Sequence, residues 1–275
     1  MIKNVKIGSD PELFIINTKT GKVVSSIGII PGVKGEPYVA KDMPKGYGLQ
    51  TDNILAEFNI PPVKTQQAFV ICMNYMKDYI QKYVKNINED LDIMCASSAI
   101  VDEDQLQSKE AKEFGCDIDY NAYTEEPNPK PEGTSTNMRS AGCHIHVSYN
   151  NPNTQDSLNL IKYLDMYLGI PFVVIDKDSR RRKLYGKAGC FRLCNYGFEY
   201  RTLGGYALSS NKILEFVYTN VKKAITAYNN EWPLASPNIV QDIINNNKEE
   251  QARELISKYK LVDNDFENIL FNCNY

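Results

Sequence analysis

The stretch Gly142-Cys143-His144-Ile145-His146-Val147-Ser148 contains both histidines of the 275-residue chain. Its alternation of apolar and polar residues predicts a β-strand. Successive side chains of a strand point to opposite faces, so His144 and His146 project together while their apolar neighbours face the other layer. Two imidazoles on one face can bind a metal or a phosphate group. They can equally be two hydrogen-bonded residues in a polar cleft.

Arginine is concentrated in the same part of the chain. Only seven of the 31 basic residues are arginine, and six of those lie between positions 139 and 201. A guanidinium is always charged and binds carboxylate or phosphate through two parallel hydrogen bonds, which an ammonium cannot do. The run Arg180–Lys183 is typical of a solvated basic turn, but that does not explain the isolated Arg192 and Arg201. The pattern therefore indicates anion binding beside the histidines.

Composition excludes several classes of protein. With 43% hydrophobic residues the chain can form a sizeable core, and a net charge of −3 gives no sign of a nucleic-acid or anionic-membrane surface. The N-terminus lacks the apolar run of a signal peptide, and no stretch approaches the ~20 apolar residues of a membrane span. Seven scattered cysteines without a CxxC pair favour a reducing cytosol over a disulfide framework.

The order of the predicted elements favours an α+β fold with an antiparallel sheet, because strands and helices come in blocks and not in strict βαβ alternation. No repeat or low-complexity linker is present, so we expect a single domain over residues 1–275. The main local predictions are a strand over Ile54–Ile60 stopped by Pro61 and Pro62, a helix capped by Thr65, a helix from Asp156 to about Leu168 that ends before Gly169-Ile170-Pro171, and a hairpin turning near Asn195.

Acidic residues interrupt several of the predicted strands. Asp10 and Glu12 are two positions apart, Glu57 lies within an apolar strand, and Glu199 is followed two residues later by Arg201. Charges are rarely buried without partners, because their desolvation is expensive. A single cleft would explain all of these charged residues. In it, the carboxylates and an imidazole would bind a cation, and the arginines would bind an anion. A site rich in oxygen suits Mg²⁺ or Mn²⁺ better than Zn²⁺.

Each of these residues also has an ordinary structural explanation. Asp10 could cap a turn before Pro11, Glu12 could pair with a lysine, and Glu57 could lie on an exposed edge. Glu199 and Arg201 could form cross-strand ion pairs. No Walker loop, GxGxxG motif or kinase-type catalytic loop is present, so a phosphate donor would need another kind of fold.

Five motifs in order carry a family resemblance: GSDPELF at 8–14, ILAEFNIPP at 54–62, GCHIHVS at 142–148, RRKLYGKAGCFR at 181–192 and FEYRTLGG at 198–205. The series resembles the carboxylate–amine ligases of the glutamine synthetase / glutamate–cysteine ligase superfamily, and most of all the phage COOH–NH2 ligases of type 2. It covers about three quarters of the chain. Each motif is weak alone, but five in this order are fairly specific.

The resemblance implies a glutamine synthetase-like catalytic domain, a curved antiparallel sheet flanked by helices, without the separate N-terminal domain of glutamine synthetases. It implies ATP and two or three Mg²⁺ or Mn²⁺ ions as cofactors. In that superfamily a substrate carboxylate attacks the γ-phosphate of ATP, and an amine then displaces phosphate from the acyl phosphate to give an amide.

The resemblance also implies roles for individual residues. The metal-binding set is Asp10, Glu12, Glu57, His144 and Glu199. The catalytic set is Arg192, Arg201, Glu57 and His146, with His146 near the transferred phosphate. The set that binds the nucleotide phosphates is Arg182, Lys187, Arg192 and Arg139.

Two departures from the family pattern qualify these roles. Asp10 stands where the larger enzymes usually have glutamate, and no second acid closely follows Glu57. Asp52 and Asp119 are possible substitutes for that acid. The amine must be deprotonated before it attacks, and Glu57, Asp52 or an acid of the 115–120 loop could be the base.

Three alternatives remain open at this stage: a guanidino-kinase-like phosphotransferase, a cupin-like metalloenzyme, and a non-catalytic nucleotide-binding module of the same fold. The absence of a third histidine counts against the cupin. We expect small-molecule or peptide carboxylates and amines as substrates, no nucleic acid or membrane partner, and a cytoplasmic location, the host cytoplasm if the protein is encoded by a phage. The oligomeric state is not predicted.

Overall fold

The protein has an α+β fold, as the order of the predicted elements indicated. The computed structural model describes residues 1–112, 119–129 and 137–271. The strands are β1 (Lys6–Asn17), β2 (Lys22–Val24), β3 (Gly48–Asp52), β4 (Leu55–Val63), β5 (Leu91–Met94), β6 (Ser98–Ile100), β7 (Tyr120–Asn121), β8 (Met138–Ser140), β9 (Cys143–Ser148), β10 (Cys190–Cys194) and β11 (Gly197–Tyr200). The helices are α1 (Gln66–Ile87), α2 (Lys109–Lys112), α3 (Thr154–Leu164), α4 (Ile170–Ile175), α5 (Arg180–Leu184), α6 (Asn211–Asn229), α7 (Pro237–Asn245), α8 (Glu249–Tyr259) and α9 (Glu267–Phe271).

The main sheet is antiparallel, with the strand order β3-β4-β1-β9-β11-β10-β7. Strand β1 is long enough to pair with two sets of neighbours. Its first part lies between β4 and β9, and its last residues pair with β5 and β2. Strands β6 and β8 form a separate antiparallel pair. The first part of β1 is thus at the centre of the sheet.

The two faces of the sheet differ in character. Phe58 of β4, Ile145 of β9 and Phe198 of β11 are buried in the main core, which they share with residues of α1, α3 and α6. Each of them alternates along its strand with a charged or imidazole side chain, which therefore points to the opposite face. A second, smaller core includes Phe14 of β1 and Leu55 of β4. The polar face is the one that carries the candidate site.

Strand β4 continues through Pro61 and Pro62, so the prediction that these prolines stop it was wrong. Ile7 pairs with Val63 and Ser9 with Ile60, which places one extra residue on β4 between the two pairs. Such a bulge leaves a residue outside the hydrogen-bond ladder, and proline is tolerated there because it has no N–H to donate. The hairpin of β10 and β11 and the Thr65 cap, which accepts a hydrogen bond from the Ala68 N–H, are confirmed.

The helix predicted to end before Gly169 does not end there. It passes from α3 through a π-helical turn at Asp165–Gly169 into α4, and the Ile170 N–H bonds the Asp165 carbonyl. The wider π-helical turn interrupts the regular helical hydrogen bonds at the place where Pro171 has no N–H to donate. The sequence pattern missed this because proline normally ends or kinks a helix.

The continuous helical segment Thr154–Ile175 is long and apolar enough to cross a membrane by length and composition, in contrast to our expectation from the sequence. However, 83% of its most apolar window is buried within the protein. Its apolar surface contacts the core and the other helices, as in the core helix of a globular protein.

Asp165 in the π-helical turn is fully buried. Its carboxylate accepts hydrogen bonds from the Tyr200 hydroxyl at 2.8 Å and the Tyr123 hydroxyl at 2.9 Å. Burial raises the pKa of Asp165 to about 7, although both tyrosines oppose the shift. The folded protein therefore binds a proton here at pH values where the unfolded chain has lost it.

Asp165→Asn is expected to flatten the pH dependence of stability. Because the folded pKa exceeds the unfolded value, Asp165 makes the wild-type free energy of unfolding fall as pH rises from 5 to 8, by about 2–3 kcal/mol. Urea unfolding at several pH values would measure this loss in the wild type and its absence in the variant. Asp42→Asn, at an exposed position, is the control, and an Asp165→Asn profile parallel to the wild type would contradict the prediction.

Candidate functional site

Cross-strand pairing brings the predicted acidic and imidazole residues together on the polar face. Asp10 of β1 lies opposite His144 of β9, and Glu12 lies opposite Glu57 of β4. On the other side, Glu199 of β11 lies opposite His146. Directly opposed residues in antiparallel strands share a face, so their side chains meet. The sequence had predicted this convergence from separate segments.

Asp10, His146 and Glu199 form what we call the histidine-side group. One ligand atom from each lies within 4.8 Å of the others. His146 Nε2 is 2.9 Å from Asp10 Oδ1 and 3.8 Å from Glu199 Oε1. Both Asp10 Oδ1 and His146 Nε2 are buried and have no aligned hydrogen-bond partner among the described residues. Buried polar atoms normally have a partner, and a cation bound between these two would supply it.

Glu12, Asp52 and Glu57 form a second cluster, the carboxylate group, whose oxygens also lie within 4.8 Å of one another. Burial and the nearby Glu12 raise the pKa of Asp52 to about 6, although Lys34 opposes the shift. Burial, Asp10 and the two partner carboxylates raise the pKa of Glu57 well above its usual value. Three carboxylates this close repel one another, and a divalent cation would remove the repulsion.

The residues of both groups fit a divalent cation. The carboxylate group offers oxygen ligands only, which suits hard ions such as Mg²⁺ and Mn²⁺. The histidine-side group adds one imidazole nitrogen, which Mn²⁺ also accepts. Glu12 is held in place because its Oε2 accepts the Gly142 N–H at 2.6 Å.

Two of the predicted arginines lie beside the histidine-side group. Arg201 donates to Glu199 Oε2 at 2.8 Å and is only 5% exposed. Arg192 lies 3.5 Å from the same oxygen, and its side chain is 31% exposed. Arg201 therefore orients Glu199 from inside the fold, whereas Arg192 can reach an anion that enters from solvent.

His144 is more enclosed than His146. Its Nδ1 lies 3.2 Å from Asp10 Oδ1 and 3.3 Å from a terminal nitrogen of Arg201. His144 thus contacts Asp10 of the histidine-side group, but it is not a member of that group. The predicted assignment of His144 to the metal and of His146 to the phosphate therefore stays a prediction, and the geometry favours the reverse.

Three predicted nucleotide-binding residues lie apart from these contacts. Arg182 donates to the Phe172 carbonyl and to Asn247, and Arg139 donates to the Ala111 and Met138 carbonyls. Both guanidinium groups thus hold backbone segments together, which does not favour their predicted contacts with phosphate. Lys187 is half-buried in the loop between α5 and β10.

The acidic loop at 115–120 is described only from Asp119 onward, so the acid at position 117 lies outside the described residues. Asp119 is buried and accepts a hydrogen bond from the Cys190 thiol at 3.0 Å. It lies 3.9 Å from Arg201 Nε. Asp119 therefore supports Arg201, and Asp52 completes the carboxylate group.

Sequence reasoning understated Asp52 and missed Tyr196. Asp52 precedes a two-residue turn in which Asn53 has a φ of 59°, and it shares a face with Gln50, which lies opposite Glu57. An asparagine turn between alternating segments was the available signal. Tyr196, whose hydroxyl lies 2.9 Å from His146 Nδ1, had no signal beyond its place in the hairpin turn.

Comparison with known proteins points the same way as the motifs. Residues 133–261 match the model of the family described as phage phiEco32-like COOH.NH2 ligase-type 2. No curated protein matches the chain. The matched segment contains β9, β10 and β11, and so His146, Glu199 and both arginines of the site. It confirms the family resemblance predicted from the motifs.

Glu57→Gln is expected to stabilise the metal-free protein and to weaken its stabilisation by Mn²⁺. The change removes one of three repelling carboxylates but also one ligand. In the wild type, a free cation at one hundred times its dissociation constant adds about 2.7 kcal/mol of stability. Thermal unfolding with EDTA and with Mn²⁺ measures both effects. Glu250→Gln, at an exposed position of α8, should change neither, and an unaltered Mn²⁺ effect in Glu57→Gln would remove Glu57 from the site.

Gly142→Ala is expected to destabilise the protein by about 1–3 kcal/mol, because the new methyl group overpacks a filled space. A Cβ at this position would lie 2.5 Å from His144 Nε2 and 3.2 Å from a terminal nitrogen of Arg181. Gly8→Ala in β1 is the control, since its Cβ would meet neighbours only at 3.6 Å or more. Urea unfolding of both variants tests this, and equal stability would show that His144 can move away.

Proposed function

Residues 133–261 match the model of the phage COOH–NH2 ligase family of type 2, and from that match we propose that the protein is an ATP-dependent ligase. It would join a carboxylate to an amine as an amide, a peptide or isopeptide-like bond, through an acyl-phosphate intermediate. The observation that carries this proposal is the pair of ligand groups on one sheet face, on either side of β1 and next to Arg192 and Arg201.

The chemistry requires an activated carboxylate. A carboxylate oxygen attacks the γ-phosphorus of ATP, the bond from that phosphorus to the bridging oxygen breaks, and ADP leaves. The amine nitrogen then attacks the acyl carbon, phosphate leaves, and the nitrogen loses a proton. Both steps concentrate negative charge on phosphoryl oxygens, so positively charged groups around them lower the barrier.

The ligand groups supply the place for that positive charge. The histidine-side group and the carboxylate group would hold Mg²⁺ or Mn²⁺, which when bound neutralises the charge on the β- and γ-phosphate oxygens. Arg192, at the solvent-facing side of Glu199, would contact the transferred phosphoryl group. Arg201 is the residue that keeps Glu199 in position.

The second step needs a base for the amine. The candidate bases are Glu57 and Asp52, each of which has a raised pKa in the metal-free protein. The one that does not bind the cation would accept the proton of the amine. Glu57 is partly exposed, whereas Asp52 is buried and lies 3.3 Å from Lys34 of the loop that precedes β3. We therefore infer that the amine enters near the carboxylate group and the nucleotide near the histidine-side group.

The proposed substrates are a small-molecule or peptide carboxylate and an amine, in the cytoplasm, or in the host cytoplasm if a phage encodes the protein. The described cysteines Cys72, Cys95, Cys143, Cys190 and Cys194 are unpaired, which is compatible with a reducing compartment.

Purified protein with ATP, Mg²⁺ and pools of carboxylates and amines is expected to release ADP and phosphate only when both partners are present, with a condensed product detectable by mass spectrometry. Phosphorylation of the amine pool without condensation would instead support a guanidino-kinase-like phosphotransferase. Binding of ATP without turnover would support a non-catalytic module.

Glu199→Gln and Arg192→Ala are each expected to lower turnover by about 10²–10³-fold, since each removes charge directed at the phosphoryl group or its cation. Glu250→Gln and Lys183→Ala, at exposed positions, are the matched controls. Turnover assays on the four variants measure whether activity is lost only in the two site variants. Wild-type rates in both site variants would show that the reaction takes place elsewhere on the molecule.

A further inference from the structure

We propose that Tyr196 is a positioning residue that holds the His146 imidazole so that its Nε2 lone pair points at Asp10 and Glu199. It follows that His146, and not His144, is the imidazole ligand of the cation bound by the histidine-side group. This inference rests on the proposed function, because it concerns the cation which that function requires.

Tyr196 makes two different contacts with His146. Its hydroxyl lies 2.9 Å from Nδ1. Its ring lies parallel to the imidazole, with centroids 6.0 Å apart and an interplanar angle of 15°. The hydrogen bond restricts rotation of the imidazole about its Cβ–Cγ bond. The parallel tyrosine ring restricts tilting of the imidazole out of its plane. Together they direct Nε2 toward Asp10 Oδ1, 2.9 Å away.

The tautomer follows from the partners of the Tyr196 hydroxyl. That hydroxyl also interacts with the thiol of Cys194, whose sulfur can accept its proton. Its oxygen can then accept the proton carried by His146 Nδ1. A neutral imidazole protonated at Nδ1 has its lone pair on Nε2, the atom that faces the two carboxylates. Metal-binding histidines are commonly oriented in this way by a partner on the other ring nitrogen.

His144 lacks such an arrangement. Its Nδ1 lies 3.3 Å from a terminal nitrogen of Arg201, and a guanidinium can only donate. The same Nδ1 lies 3.2 Å from Asp10 Oδ1, so it is enclosed between a guanidinium and a carboxylate and is not open to a cation. Its Nε2 is directed toward Gly142, where a Cβ would come within 2.5 Å. Within the described part of the chain, His144 thus orients Arg201 and Asp10 from behind the cation position.

The test is direct titration of the purified full chain with Mn²⁺, with free Mn²⁺ read by electron paramagnetic resonance. Tyr196→Phe keeps the ring but removes the hydroxyl, and we expect it to weaken the Mn²⁺ site of the histidine-side group by about tenfold or more. Tyr163→Phe is the matched control, since it also loses one phenolic hydrogen bond, to the Trp232 carbonyl, on a distant surface. Its Mn²⁺ affinity should equal that of the wild type.

Pulsed electron paramagnetic resonance of bound Mn²⁺ identifies the ligand. We expect coupling to one imidazole nitrogen that disappears in His146→Gln and persists in His144→Gln. Coupling lost only in His144→Gln, or equal affinities of wild type and Tyr196→Phe, would overturn the inference while the proposed function stands. Absence of Mn²⁺ binding by the wild-type protein would overturn the cation requirement of the proposed function itself.

Discussion

The electrostatic repulsion between carboxylates on one face of β1 is the constraint on which the rest of the site depends. Asp10 and Glu12 lie at alternating positions of a central strand, and β4 and β11 add Glu57 and Glu199 to the same face of the sheet. Two like charges within 4.8 Å of each other repel by about 3.5 kcal/mol or more at an effective dielectric constant of about 20. A fold that keeps such an arrangement needs positive charge at that face.

The chain supplies this charge unequally to the two groups. Beside the histidine-side group, Arg201 and Arg192 approach Glu199 at 2.8 and 3.5 Å, and both imidazoles contact Asp10. The imidazoles lower the pKa of Asp10 in spite of its burial. The carboxylate group has Lys34 near Asp52 and keeps raised pKa values at Asp52 and Glu57. The carboxylate group therefore has more uncompensated negative charge than the histidine-side group, and a bound cation would stabilise it more.

The sheet fixes these side chains more firmly than loops could. Four of the five strands that carry ligands pair on both sides with main-sheet neighbours, and their opposite faces are buried against the helices. Lys34, which contacts Asp52, and Tyr196, which contacts His146, lie outside the strands. This division places the charged ligands on rigid elements and leaves adjustable groups at the entrance.

Alternation within single strands determined, from sequence alone, that His144 and His146 lie on one face of their strand and that Asp10 and Glu12 lie on one face of theirs. These are local properties, because the side-chain period of a strand or helix depends only on its own backbone. Tertiary structure alone decided that Asp52 completes the carboxylate group, that Arg182 and Arg139 bind backbone carbonyls, and that Tyr196 reaches His146. Those outcomes depend on the register between strands and on the packing of distant segments, which the pattern of one segment does not contain.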